Sequence, residues 1–337
     1  MSRWFSGGSM MRFLSRFMVV MVLLIAGALA YGLLLPVGPR SPKFVLLKAG
    51  SSARRIASDL RQAGVIRSQY AFLLWHYAHG RQTLKAGEYV FDHPANALAV
   101  HDRIARGDIY FHTVVVPEGF NMFDIAAALE AAGLGSHDSF LQVARSGAGL
   151  VHDLDAEAPS LEGFLFPDTY HFTRTQSPRD MAAIMVGRFR QTAREIGMEK
   201  DLHRLTTMAS IVEKETAVPE ERPVVASVFY NRMARNMALA TDPTVIYAAL
   251  LNNRYRGTIY QSDLRFDSPY NTYKSAGLPP GPICNPGKAS LLAAMHPAGT
   301  EFLYFVSDNR GHHRFARTGQ EHAENVTAYR KAVVRHR

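Results

Sequence analysis

Cysteine is all but absent from the sequence: Cys284 is the single one in 337 residues. One thiol forms no internal disulfide and completes no zinc cluster, so an apolar core has to stabilise the fold. Cys284 lies between Ile283 and Asn285 in a loop rich in Pro and Gly, with no basic residue or His beside it, which argues against a nucleophile. The 14 histidines include no H-E-x-x-H pattern. His312 and His313 are adjacent on an expected turn and are read as surface residues. P-loop and dinucleotide glycine patterns are missing too. No metal and no cofactor are therefore expected. Long Lys/Arg runs are also lacking, although the chain carries 38 basic and 29 acidic residues, a formal charge of +9. Such a surface favours a membrane leaflet or an acidic polymer, while the missing basic arm argues against a nucleic-acid partner.

Long uncharged runs are scarce as well, with one exception. Phe17 to Leu35 carries no charge and approaches the length that spans a bilayer. Arg3, Arg12 and Arg16 precede it, so residues 1–16 should stay cytoplasmic and the remainder should lie outside the cytoplasm. A cleaved signal peptide is the competing reading. The run is long for one, and the following PVGPRSPK offers a poor cleavage site, so an uncleaved transmembrane helix over 17–35 is expected.

Residues 36–42, PVGPRSP, read as a short stiff linker. Beyond them the chain repeats itself. At an offset of 69, Gly50 matches Gly119, Ile56 matches Ile125, Leu60 matches Leu129 and Gly64 matches Gly133. Each copy reads as strand, Gly turn, amphipathic helix and Gly stop, followed by a second helix start at Ser68 or Ser136. The expected organisation is α+β. A small strand–helix–helix module occupies 43–112, a second repeat-like unit 113–150, and an α+β domain 151–337. A hairpin is expected from 302–308 and 313–319, then a C-terminal helix.

The stretch 208–233, MASIVEKETAVPEERPVVASVFYNRM, reads as helix, a break at Pro219, and helix again from about Arg222. Its first helix holds two carboxylates, Glu213 and Glu215, that helix geometry sets on opposite sides. The row through Glu215 contains Met208, Ile211, Val212 and Val218; that through Glu213 contains Thr206, Ala209, Ser210, Thr216 and Ala217. A carboxyl among apolar side chains is desolvated, its pKa rises, and it suits general acid catalysis. Glu215 is thus either such an acid or a structural group bonded to a buried Arg or to backbone amides. Glu213 reads as solvated or ion-paired.

Several segments together resemble the endolytic transglycosylases of the bacterial cell wall, the MltG or YceG-like family. They are LEGFLFPDTY (161–170), MASIVEKET (208–216), SVFYNRM (227–233), TDPTVIYA (241–248), YNTYKSAGLPPGPICNPG (270–287), AAMHP (293–297) and LYFVSD (303–308), in family order over about half the chain. Leu165 and Tyr170 stand where other members can carry Trp. The resemblance implies that Glu215, the second Glu of EKE, is the catalytic acid. It also implies that the 43–112 module is LysM-like, and that the protein is a single-pass component of the cell inner membrane with its C-terminal domain in the periplasm. The substrate would be peptidoglycan glycan strands, with peptidoglycan synthases as working partners.

In that chemistry the 6-hydroxyl of the sugar attacks its own anomeric carbon, so one carboxyl group can serve both proton transfers. Glu162, Asp168 and Asp242 are candidate second carboxylates: Glu162 as a charge stabiliser or a loop brace, Asp242 as a partner carboxylate or an N-cap. Asn231 and Arg232, at a helix end, are expected to fix Glu215, although an Arg paired to it would lower its pKa. Asp168, Tyr170, Thr241, Thr244, Tyr247, Asn271, Thr272 and Tyr273 are candidates for sugar contact, and each could instead brace its loop. A hydrolytic muramidase and a non-catalytic wall-binding scaffold remain as alternatives.

Overall fold

The structure, a computed structural model, describes residues 7–39, 41–80 and 82–335, which form two compact units. The first runs to His112 and takes back Thr173–Thr175; the second holds 113–172 and the rest from Gln176.

The first unit begins with α1 (Gly7–Leu34), whose Met10–Leu34 portion is long and apolar enough to cross a membrane. Strand β1 (Lys43–Leu47), α2 (Ala53–Gln62), α3 (Gln69–Ala78), β2 (Gly87–Phe91) and α4 (Ala97–Arg106) follow. β1 and β2 pair antiparallel, Lys43 opposite Phe91 and Leu47 opposite Gly87. Alternation along β1 turns Val45 and Leu47 onto Ile56, Leu60, Phe72, Tyr89, Val100 and Ile104, which form the core. Glu88 is buried and accepts from His112 Nε2 at 2.6 Å and from Arg174 Nη1 at 2.7 Å, which ties residue 174 into this unit. Within the expected linker, Val37 is held in place. Val37 exchanges backbone hydrogen bonds of 2.9 and 3.1 Å with Ala95.

The second unit opens with β3 (His112–Val116), α5 (Met122–Ala131) and α6 (His137–Ser146). The sequence repeat is therefore also structural. β1 and β3 have the same length, as do α2 and α5, and both start at the offset of the repeat. Ser52 and Asn121 cap the first helices, Ser68 and Ser136 the second. Gly50 and Gly119 turn the chain between strand and helix with φ of 76° and 80°, where a side chain would be strained.

β4 (Asp168–Phe172) pairs with β3, and α7 (Pro178–Glu195) packs on α6. Then come α8 (Leu202–Glu215), α9 (Arg222–Ala234), α10 (Asp242–Leu251), the short α11 (Gln261–Leu264) and α12 (Lys288–Met295). The hairpin β5 (Tyr304–Ser307) and β6 (His313–Ala316) precedes α13 (Gly319–Arg335). At the centre is α8, packed against α9, α10 and α12, with Thr206 to Val212 all buried. Phe164, Phe172, Phe189 and Phe229 fill the space around it, each contributing roughly 1.5–3 kcal/mol of burial.

Candidate active site

Helix α8 stops at Glu215, four residues before Pro219. Thr216 is already extended (φ −140°, ψ 131°), and a 3₁₀ turn at Pro219–Glu221 leads into α9. Val218 therefore lies off the helix and cannot belong to the apolar row expected for Glu215. Nor does α8 have a greasy face opposed to a polar one. It is sheathed over its whole middle, and Thr206, Thr207 and Ser210 are as buried as Met208 and Ile211.

What separates the two carboxylates is their partners. Glu213 has a side chain 6% exposed, 3.1 Å from Arg222 Nη2, and it accepts the Gly287 N–H at 3.0 Å. The solvated alternative does not apply to Glu213: it is ion-paired and caps the start of α12. Glu118 lies 3.6 Å from Arg222, and its pKa is raised by burial and by the charge of Glu213.

Glu215 faces a cavity of about 250 Å³ lined also by Phe229, Arg232, Leu239, Thr241, Asp242, Tyr273, Phe305 and His322. It makes no ion pair among the described residues. Burial raises its pKa, and Asp242 raises it further; Thr241, His313 and Arg232 oppose the rise. The Thr241 hydroxyl approaches the carboxyl but has no well-aligned hydrogen-bond partner. Arg232 is turned away from a pair with Glu215. Its Nε donates to the Leu303 carbonyl at 2.7 Å and its Nη1 to that of Leu239 at 2.6 Å. The guanidinium is therefore a nearby charge and not a clamp.

The far wall of the cavity is set by the first turn of α10. Thr272 is fully buried and receives the Thr241 N–H at 3.2 Å on Oγ1, 2.9 Å from Thr244 Oγ1. Thr244 Oγ1 donates to the Thr241 carbonyl at 2.7 Å. Asn271, also fully buried, donates to the carbonyls of Phe266 and Leu264 and receives the Tyr273 N–H. Tyr273 is thereby placed so that its hydroxyl donates to Asp242 Oδ1 at 2.7 Å. Asp242 is thus not an N-cap; its carboxylate serves the cavity wall. Thr244, Asn271 and Thr272 build that wall from behind without lining the cavity.

Five further candidates do not line the cavity either. Glu162 is buried, accepts the Met122 N–H on both oxygens (3.1 and 3.0 Å) and Asn285 Nδ2 at 2.8 Å, and lies against the Tyr247 hydroxyl. It closes the N-terminus of α5, and burial pushes its pKa up to about 8. Tyr247 is buried with it. Asp168 pairs with Arg188 at 2.6 Å, which holds its carboxyl below the usual range. Tyr170 donates to the Phe166 carbonyl and stacks on Phe172. Asn231 donates to the carbonyls of Thr300 and Phe302, fixing the approach to β5.

Two contributors went unnoticed in the sequence. Asn285 accepts the N–H groups of Gly163 and Leu165, both at 2.9 Å, and donates to the Phe120 carbonyl and to Glu162. It fastens its own loop to two distant ones, and its CNPG context gives no local sign of that. His322 reaches the cavity from α13, its ring stacked on Tyr304. Burial and the charge of Arg232 lower its pKa, and its Nδ1 is buried without a hydrogen-bond partner among the described residues. Cys284 is fully buried, its thiol pushed well up by desolvation. No cluster of three or more His, Cys, Asp or Glu able to hold a metal occurs among the described residues. The cavity thus offers one carboxyl with a raised pKa, a second carboxylate held by a phenol, a guanidinium bonded to two carbonyls and an imidazole.

The YceG-like family model matches residues 45–328. An endolytic murein transglycosylase of Bacillus subtilis (strain 168) is 34% identical over 335 residues, covering 91% of either chain. One from Streptococcus pneumoniae serotype 2 is 28% identical over 366 residues, covering 94% of this chain and 65% of that one. The crystal structure of a yceG-like protein from Listeria monocytogenes aligns with a TM-score of 0.54 at 31% identity, covering 85% of this chain and 99% of the other. The match runs through both units and takes in every segment that builds the cavity, and the chain belongs to the YceG-like family.

Proposed function

We propose that the chain is a membrane-anchored endolytic peptidoglycan transglycosylase. It cleaves the MurNAc–GlcNAc bond within nascent glycan strands, leaves 1,6-anhydro-MurNAc ends and so terminates elongation. The observation that carries this reading is Glu215, unpaired among the described residues and with its pKa raised by burial, facing a cavity. Protonated, it donates to the glycosidic oxygen as that bond breaks and positive charge builds on the sugar ring. The resulting carboxylate takes the proton of the 6-hydroxyl as that oxygen bonds to the anomeric carbon. The proton count balances on one residue and no water is consumed. Asp242, held by Tyr273, lends negative charge where the ring becomes positive. Arg232 moderates the affinity of Glu215 for its proton so that it can both give and take.

In this reading α1 anchors the protein in the inner membrane, with the chain that follows it on the periplasmic side. Residues 43–112 form a LysM-like module for glycan or partner contact, 113–150 link it onward, and 151–337 make the catalytic domain. Peptidoglycan synthases supply the strands.

One observation favours a second reading. Asp242 shares the cavity with Glu215, and two carboxylates at one site suit a hydrolytic muramidase. Mass spectrometry of glycan digested by the purified protein separates the two. Anhydro ends support the transglycosylase; reducing ends, one water heavier, replace it with the hydrolase. Glu215→Gln must abolish either product. Wild-type activity that persists in this variant removes the assignment of the acid.

A further inference from the structure

The first unit carries an uncharged helix on its surface. α3, QYAFLLWHYA, contains no Asp, Glu, Lys or Arg. Its inner side is in the core through Ala71, Phe72 and His76. Its outer side, at spacings of four and three, presents Tyr70, Leu74 and Tyr77, which are 75%, 52% and 51% exposed. A water-facing helix normally carries charge there. Tyr flanking Leu is instead the composition found where a helix meets the boundary between headgroups and acyl chains.

This stripe lies beside the end of the apolar helix. Gly32 in the last turn of α1 is buried so closely that a Cβ would meet Ala71 Cβ at 3.0 Å and Ser68 Cβ at 3.1 Å. Arg67, next to the Ser68 cap of α3, donates to the carbonyls of Leu35 (3.3 Å) and Pro36 (3.0 Å) and to the Tyr31 hydroxyl (3.1 Å). Its guanidinium also lies over the Tyr31 ring. With the Val37–Ala95 bridge, these contacts leave no loose tether between α1 and α3. The apolar portion of α1, 25 residues, is about 37 Å long against roughly 30 Å of hydrocarbon, so a span that uses it brings its C-terminal turn to the interface.

We propose that α3 is an interfacial helix: Tyr70, Leu74 and Tyr77 lie in the headgroup boundary of the membrane that α1 crosses, on the side where α1 ends. The inference rests on the reading of α1 as an anchor. The occupant is lipid and not a protein, because the first turn of α3, where the stripe begins, packs on the last turn of the apolar helix through Arg67, Ser68 and Ala71, and tyrosines flank the stripe. The first unit is then held to the bilayer at two points and cannot swing freely on α1.

The test uses the full chain in nanodiscs of phosphatidylethanolamine and phosphatidylglycerol. Cys284 is buried and unreactive, so a fluorophore can be placed selectively at Leu74→Cys, at Val22→Cys in the middle of α1, or at Arg55→Cys on α2. The quenchers are nitroxide lipids labelled near the headgroup or deep in the acyl chain. The proposal expects Val22→Cys to be quenched by the deep label. It expects Leu74→Cys to be quenched several-fold more than Arg55→Cys, and chiefly by the shallow label. Leu74→Cys behaving like Arg55→Cys while Val22→Cys is quenched overturns the proposal and leaves the anchor standing. An unquenched Val22→Cys overturns the anchor, and the proposal with it. Shielding of Leu74→Cys only in discs holding two copies assigns the stripe to self-association and also overturns it. Circular dichroism of each labelled variant confirms that the fold is kept.

Discussion

Glu213 and Glu215 leave the last turn of α8 two residues apart and in opposite directions. Glu213 goes to Arg222 at 3.1 Å and to the N–H of Gly287. Glu215 goes to the cavity without an ion pair among the described residues. The first is a tie between α8, α9 and α12; the second is the proton donor of the proposed function. Their substitutions should therefore fail in different ways. Glu215→Gln should lower turnover by about 10²–10⁴-fold with little change in stability. Glu213→Gln leaves Arg222 short of its buried partner and should cost about 3 kcal/mol of stability, while protein that remains folded keeps its activity. Denaturation curves run beside product assays on both variants check this. Equal loss of activity in folded samples of the two would remove the distinction.

Arg232 and Asp242 should move the pH profile in opposite directions. The alkaline limb of activity reports loss of the acid form of Glu215. Asp242 raises its pKa, so Asp242→Asn should shift that limb to lower pH. Arg232 lowers its pKa, so Arg232→Gln should shift the limb to higher pH. Arg232→Gln also frees the carbonyls of Leu303 and Leu239 and should lose roughly 1–3 kcal/mol of stability. Rate profiles of the three proteins decide it; parallel shifts in the two variants contradict the electrostatic account.

Glu162 should make the folded protein less stable as pH rises. Its carboxyl is raised from 4.5 to about 8. Between those values the folded chain holds a proton that the unfolded chain releases. Stability is thus fully present below about 4.5 and declines through about 8. Melting temperatures across that window should fall for the wild type, and the Glu162→Gln variant should show a flatter dependence.

The Asn285 side chain joins backbone groups of two segments, around Phe120 and around Gly163, and Asn285→Ala strands the N–H groups of Gly163 and Leu165 and removes one donor from Glu162. A loss of about 3 kcal/mol or more is expected in chemical denaturation.

The His322 ring lines the cavity, while its Nδ1 is buried without a hydrogen-bond partner among the described residues. His322→Phe should keep the stacking on Tyr304 and raise KM by about 2- to 10-fold, the worth of one hydrogen bond to substrate from the other ring nitrogen, Nε2. An unchanged KM assigns the ring to packing alone.

Some of this was legible along the chain. The uncharged run of α1, the doubled strand–helix–helix pattern and the C-terminal hairpin follow from local periodicity, caps and Gly turns, which act over a few residues. The same local geometry placed Glu213 and Glu215 on opposite sides. Asn271, Thr272 and Tyr247 looked like sugar-binding groups because their side chains carry the right donors and acceptors. They are buried because the loops they belong to need those donors and acceptors for their own backbone.

By itself the sequence determined the elements, the repeat and one carboxyl worth suspecting, since each depends on neighbours within a turn or two. Tertiary structure alone decided which carboxylate is neutralised and which is free. Arg222, Gly287, Asp242, Tyr273 and His322 reach the end of α8 from separate elements, and both burial and Coulomb interaction depend on distance in space, which sequence spacing does not set.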